Sequence, residues 1–264
     1  MFNKIRFNSI CRKIKEIKIQ GATNVAKAAL KAYYIYPNKI TKKILLDLRP
    51  TEPMLSHVLQ LADKQTEKQI LQHFQISQDI INKLVFKLIK HNSIIYTHCH
   101  STSVVKALIY AKKHGKNFQI HNTETRPLFQ GRKTAEELAS ARIRVVNYVD
   151  SAFSIALNRC NMVFLGADAL LKNSIINKVG SNTIVQLAKN KKIPIYVIAD
   201  SWKYSTKDVK IEERDFKEVW NPKTNKIHVE NPAFESFSPK FIKAIISELG
   251  MMTYSVFLKR VGQN

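Results

Sequence analysis

A chain of 264 residues is long enough for one large domain or two modest ones, and either can bury a proper core. Hydrophobic residues make up 45% of it and charged residues 24%, the balance of a globular protein. No run approaches the roughly 18 uninterrupted apolar residues that a membrane helix needs, so no membrane partner is expected. The formal net charge of +23 suggests a polyanion partner when taken alone. The basic residues are scattered along the whole chain, however, and Lys outnumbers Arg, which reads as a solvated surface; no specific nucleic-acid partner is expected. Met1 to Gln20 alternates basic and apolar residues without a continuous apolar segment, so it reads as an amphipathic helix and not as a secretory signal. Cys11, Cys99 and Cys160 are odd in number and widely spaced, which suggests neither a disulfide framework nor a zinc site and fits a reducing cytoplasm.

In chain order, residues 1–90 carry helical periodicity. Ile14 and Ile17 come first, then Val25, Ala26, Ala29 and Leu30, then Leu45, Leu46 and Leu48, and finally Ile70, Leu71, Phe74, Ile81, Val85 and Leu88. From residue 91 to 264 the pattern changes. Short β-rich runs at 94–97, 118–121, 145–149, 162–165 and 193–198 alternate with amphipathic stretches at 103–114, 134–141, 151–159 and 182–191. Runs of that kind are buried parallel strands with helical crossovers. The expected fold is therefore α/β: a small helical N-terminal domain followed by a Rossmann-like, doubly wound parallel sheet, with ligands beyond the C-terminal ends of the strands.

Two strand ends carry chemistry. The first strand runs into Thr97-His98-Cys99-His100-Ser101, and a thiol facing a helix N-terminus sits in a positive partial field that favours thiolate. A buried small hydrophobe is the plain alternative for Cys99. His98 and His100 flank it, but alternating side chains make the triplet a poor metal chelate, and no metal is expected. The fourth strand ends in Gly166-Ala167-Asp168, where a carboxyl can exchange protons with a ligand or simply cap a helix. Asn177-Lys178-Val179-Gly180-Ser181 offers an amide, an ammonium and a helix start suited to a phosphate or a sugar diol. Thr123-Glu124-Thr125-Arg126-Pro127 reads as a polar strand-end loop whose arginine binds phosphate or braces the loop.

Together with Gln130-Gly131 and Asn231-Pro232-Ala233-Phe234, these segments resemble the superfamily that contains ribose-1,5-bisphosphate isomerase, methylthioribose-1-phosphate isomerase and the regulatory subunits of the eukaryotic initiation-factor-2B exchange factor. The Cys-His-Ser form at 99–101 is more similar to the ribose-1,5-bisphosphate branch. The resemblance implies a site between the two domains, with Gly21, Ala22, Arg49, Ser101, Arg126, Asn177 and Lys178 holding a phosphorylated pentose and Cys99 and Asp168 moving its protons. One departure stands out: Gln20 occupies the position of a phosphate-facing arginine, ahead of the segment Arg49-Pro50-Thr51.

The reaction the resemblance implies is conversion of ribose 1,5-bisphosphate to ribulose 1,5-bisphosphate in nucleoside monophosphate salvage. It would need no cofactor, in a cytoplasmic homo-oligomer of the family's dimer-based hexameric kind. Two alternatives share the fold: a non-catalytic exchange-factor-like subunit that binds sugar phosphate, nucleotide or a translation factor, and methylthioribose-1-phosphate isomerase. Retention of both Cys99 and Asp168 favours an enzyme.

Overall fold

The computed structural model describes residues 2–49 and 52–263. Five helices open the chain: α1 (Phe2–Lys15), α2 (Ala22–Tyr33), α3 (Lys39–Leu48), α4 (Pro53–Leu61) and α5 (Glu67–Leu88). Local chemistry starts two of them. The Asn38 side chain accepts from Thr41 N at the head of α3, and Thr66 with Gln69 forms a reciprocal capping box at the head of α5. The apolar faces close on one core made of Ile14, Val25, Leu30, Leu45, Leu55, Leu59, Ile70 and Phe74. Helix α5 serves two cores, since its later residues Ile81 and Val85 pack with the sheet that follows. Residue 90 lies just past the end of α5, so the helical region is joined to the sheet by a shared helix.

Ten strands follow among the described residues: β1 (Ser93–Thr97), β2 (Phe118–Thr123), β3 (Arg144–Tyr148), β4 (Met162–Leu165), β5 (Ala169–Leu170), β6 (Ile175–Lys178), β7 (Ile195–Ile198), β8 (Phe234–Phe237), β9 (Ala244–Ser247) and β10 (Gly250–Met252). The helices between and after them are α6 (Thr102–Lys113), α7 (Gln130–Ser140), α8 (Phe153–Leu157), α9 (Ser181–Asn190) and α10 (Tyr254–Val261). Seven strands form one sheet in the order β10-β9-β7-β4-β1-β2-β3, all parallel except β10. Successive residues alternate between its faces. Ile95, Phe164 and Ile246 join α5, α6 and α7 on one side, while Tyr96, Leu165 and Ile245 join α8, α9 and α10 on the other. This is the doubly wound α/β arrangement, and the strand order reverses between β1 and β4.

The five β-rich runs read from the sequence are strands here, shifted by two residues or fewer at most ends. The sequence reading did not separate out β9 and β10, or a small antiparallel sheet in the order β5-β6-β8. Strands of two to four residues carry too little periodicity to stand out. Among the described residues no helix is long and apolar enough to cross a membrane.

A buried polar network ties the helical region to the sheet. Asp200, just beyond β7, accepts from Ser77 Oγ of α5 at 2.6 Å and from Trp202 N at 2.9 Å, and it pairs with His73 Nε2 at 3.1 Å. The Trp202 indole stacks on the His73 ring, 3.5 Å between centroids, and packs against the helical core. The next residue, Lys203, is thereby held at the mouth of the sheet.

Gly131, in the first turn of α7, sits where a Cβ would lie 1.8 Å from the Thr123 carbonyl oxygen at the end of β2. Only glycine lets the helix approach the strand so closely. Gly131→Ala is expected to lower unfolding free energy by about 1–3 kcal/mol or more, read as a drop in the urea midpoint with an unchanged slope.

Candidate active site

One cavity lies at the strand-order reversal, roofed by the helical region. The sheet supplies its floor. After β1 come Cys99, His100 and Ser101, and after β4 come Gly166, Ala167 and Asp168. The two segments lie this close because Gly166 has no side chain: a Cβ there would sit 2.6 Å from Ser101 Oγ. Strand β6 adds Asn177 and Lys178, with the Asn177 amide donating to Ser181 Oγ at 2.8 Å. From the helical region come Gln20, Gly21, Ala22 and Thr23 at the start of α2, Arg49 at the end of α3, and Glu52 at the start of α4. Helix α2 has no side-chain cap; the Asn24 N–H is held by the Gly21 carbonyl at 3.0 Å, which leaves the N–H groups of Ala22 and Thr23 to face an anion.

Cys99, Asp168, Gly21, Ala22, Arg49, Ser101, Asn177 and Lys178 thus share one cavity. Pro50 and Thr51 lie outside the described residues. Arg126 does not line the cavity. Its main-chain N–H donates to Asp150 Oδ2 at 2.6 Å, and its guanidinium donates to the Val219 carbonyl at 3.0 Å and lies over the Phe129 ring. Of the two uses the sequence left open for Arg126, the observed contacts are those of a loop brace. Asp168 is no helix cap either, because its N–H donates to Ile176 O at 2.8 Å at the start of the β5–β6 hairpin.

Glu52, Gln130, Lys203 and Arg214, which sequence reasoning did not place in the site, are among the further side chains that line it. Gln130 stood in the sequence within a recognisable Gln-Gly pair. The others lie in segments with no motif of their own, and only the fold brings them in. Lys203 donates to the Ala167 carbonyl beside Asp168. Arg49 and Arg214 are held by carboxylates: Arg49 Nη2 donates to Glu52 at 3.2 Å and its Nη1 to Glu212 at 3.4 Å, while Arg214 Nη2 donates to Glu218 at 2.6 Å.

Cys99 adopts a left-handed backbone (φ 60°), as does Thr125 across from it, and the Cys99 N–H donates to Thr125 Oγ1 at 3.2 Å. Conformations of this kind cost about 1–3 kcal/mol each outside glycine and persist where surroundings impose them. Thr134 Oγ1 donates to the Cys99 carbonyl at 2.8 Å and completes that hold.

The protonation states differ from the sequence expectation. Burial pushes the Cys99 thiol up to about 12, against the opposing pull of Lys178, so the resting side chain is a thiol and not a thiolate. The partial charge of a helix end is the weaker effect here, since α6 begins three residues beyond the thiol. Burial also raises Asp168, with Lys203, Arg49 and Lys178 pulling it back, and lowers Lys178. His98 is held neutral, near 4, by burial; its Nε2–H donates to the Val179 carbonyl at 2.8 Å, so it is a structural brace. His100 is also pushed down to about 4 by burial, with Nδ1 3.0 Å from Thr134 Oγ1.

With a double-wound sheet and an acid–base cavity at its reversal point, the molecule has the form of a small-molecule enzyme of the α/β class. Residues 12–254 match the initiation factor 2 subunit family, and the chain belongs to that family. It is 30% identical to the ribose 1,5-bisphosphate isomerase of Archaeoglobus fulgidus, over 95% of this chain and 92% of that protein. Among solved structures it resembles the translation initiation factor eIF-2B of Pyrococcus horikoshii (TM-score 0.84, 22% identity, 94% of this chain and 97% of that one). It also resembles the 5-methylthioribose 1-phosphate isomerase of the same organism (TM-score 0.76, 21% identity, 97% and 87%).

With burial pushing its pKa up to about 12, Cys99 stays a thiol at pH 8. Burial raises Cys11 as well, though less far than Cys99, and the two are similarly half-exposed, so iodoacetamide should modify Cys11 before Cys99 or buried Cys160. Peptide mass spectrometry showing Cys99 labelled first would restore the thiolate reading.

Proposed function

We propose that this chain isomerises ribose 1,5-bisphosphate to ribulose 1,5-bisphosphate. The observation that carries the reading is the meeting of Cys99 and Asp168 in one cavity with Lys178, Lys203, Arg49 and the open N-terminus of α2. The cavity thus offers an acid–base pair and several anion-binding groups to one ligand. Family membership and the naming of the Archaeoglobus relative support the same substrate.

Asp168, whose raised pKa helps it hold a proton, delivers that proton to the ring oxygen as the C1–oxygen bond opens. Asp168, left as a carboxylate, takes the Cys99 proton, and the thiolate, which Lys178 stabilises, takes the proton from C2. The resulting enol phosphate takes that proton at C1 from the Cys99 thiol, and the C2 hydroxyl gives its own proton to the Cys99 thiolate as the ketone forms, so both groups end as they began. Ser101, Asn177, Lys178, Arg49 and the Gly21–Ala22 turn orient the reacting carbons through the phosphates and hydroxyls. The enzyme would act in nucleoside monophosphate salvage in the cytoplasm, as a homo-oligomer, and light scattering should show a species heavier than one chain.

Gln20, on the cavity wall in place of a cation, favours a second reading: a non-catalytic module that binds a sugar phosphate weakly. Product NMR on ribose 1,5-bisphosphate and on methylthioribose 1-phosphate separates these readings. Turnover of the first alone is the expected result, and binding without turnover of either would select the module.

If the division of labour holds, Cys99→Ala and Asp168→Asn lower kcat by about 100-fold or more with substrate affinity largely kept. Gln20→Arg should tighten bisphosphate binding by about 1.5–3 kcal/mol through a charge-assisted contact. A Cys99→Ala enzyme as fast as the parent would remove Cys99 from the chemistry.

A further inference from the structure

Glu52 is 3% exposed and lines the cavity. One of its carboxyl oxygens accepts from Arg49 Nη2, and the other, Oε2, is buried with no hydrogen-bond partner among the described residues. A buried polar atom left without a partner is disfavoured unless something completes it. Helix geometry does not account for it: Glu52 stands at the N-cap of α4, yet its side chain makes no cap bond. Charge balance does not either, because Arg49 already holds Glu212 through its other terminal nitrogen.

Building on the sugar-phosphate reading, we propose that Glu52 is the hydroxyl-binding and specificity-determining residue of the cavity, its uncommitted oxygen bonding a sugar hydroxyl while the other stays on Arg49. A carboxyl at this point repels a phosphate group and accepts from an O–H. It therefore sets which part of the ligand faces α4: the hydroxylated carbons lie against Glu52, and the phosphates go to Lys178, Lys203 and the start of α2. The groups facing Glu52 are Arg49 and Glu212, with Asp168 and Cys99 from the strand ends and Lys178, Lys203 and Arg214 from the other walls. Burial, with Asp168 adding to it and Arg49 and Lys203 opposing it, pushes Glu52 up to about 7. Rising pH through the neutral range therefore ionises it, and the carboxylate accepts from a hydroxyl more strongly than the neutral acid, so the preference for a hydroxylated ligand should grow with pH.

The test compares two unreactive bisphosphates of equal length by calorimetry: ribitol 1,5-bisphosphate, which keeps the hydroxyls, and pentane-1,5-diyl bisphosphate, which lacks them. Wild type should prefer the ribitol ligand, and Glu52→Ala should lose about tenfold or more of that preference while holding or improving affinity for the alkane ligand. Glu52→Gln, which keeps a carbonyl acceptor, should retain much of the preference, and it carries the test if the alanine variant proves unfolded by circular dichroism. Its preference should then be flat between pH 6 and 8, where that of wild type varies. Equal losses for both ligands in Glu52→Ala would show that Glu52 only braces Arg49 and would overturn the proposal, as would an unchanged preference or a wild-type preference that is flat with pH. Failure of wild type to bind either bisphosphate is a different result: it would overturn the sugar-phosphate reading itself, and this proposal with it.

Discussion

Where chemistry can occur in this molecule depends on the adjacency of β1 and β4 in a sheet whose helices leave on opposite faces. Right-handed crossovers carry the chain away from that point in both directions, so the strand ends open a crevice there. Cys99 follows one of these strands and Asp168 the other. Their meeting is a consequence of topology, and Gly166 is the local concession that lets the two loops touch. The network of Asp200, His73, Ser77 and Trp202 then fastens the helical region over the crevice and fixes Lys203 beside Asp168.

Closing the crevice changes what its groups are. In open water a thiol and two carboxyls would titrate near their usual values; under a helical roof the desolvation of each charged form competes with the cations beside it. For Cys99, Glu52 and Asp168 burial is the largest influence and the cations pull against it. A helix end is a partial charge several ångströms away, whereas burial acts on the whole ionised group, which is why the thiol stays protonated at rest. Proton transfer suits such a setting, because a carboxyl that would be ionised in water can hold a proton here to give to a ligand.

Much of this was legible in the sequence. Short continuous apolar runs such as Met162–Leu165 and Ile195–Ile198 marked buried strands, and strand-end polar clusters marked Cys99, Ser101, Asp168 and Lys178. What stayed hidden depends on long-range geometry. Glu52 and Arg214 sit in segments whose local pattern is that of an ordinary surface ion pair, and only the packing of α4 and of the loop around residue 214 onto the sheet turns them inward. The thiol's protonation state was hidden for the same reason, since desolvation is a property of the roof and not of the strand. Arg126 shows the converse. A cation next to a proline in a polar loop has the local look of a phosphate ligand, yet Val219 and Phe129 lie nearer than the cavity and claim it.

The charge of the whole chain and the charge of the site follow different logic. The surplus of lysine sits on exposed helix faces, where each ammonium is hydrated and interacts weakly with its neighbours. In the cavity the cations are few, and two of them, Arg49 and Arg214, are already engaged by carboxylates. On the proposed sugar-phosphate reading, a phosphate entering there would face Lys178 and Lys203 and would compete with Glu52 and Glu212 for Arg49. Substituting Gln20 for a cation at the rim sharpens that competition, so the affinity of the site for phosphate rests on the balance inside it, whatever the net charge outside.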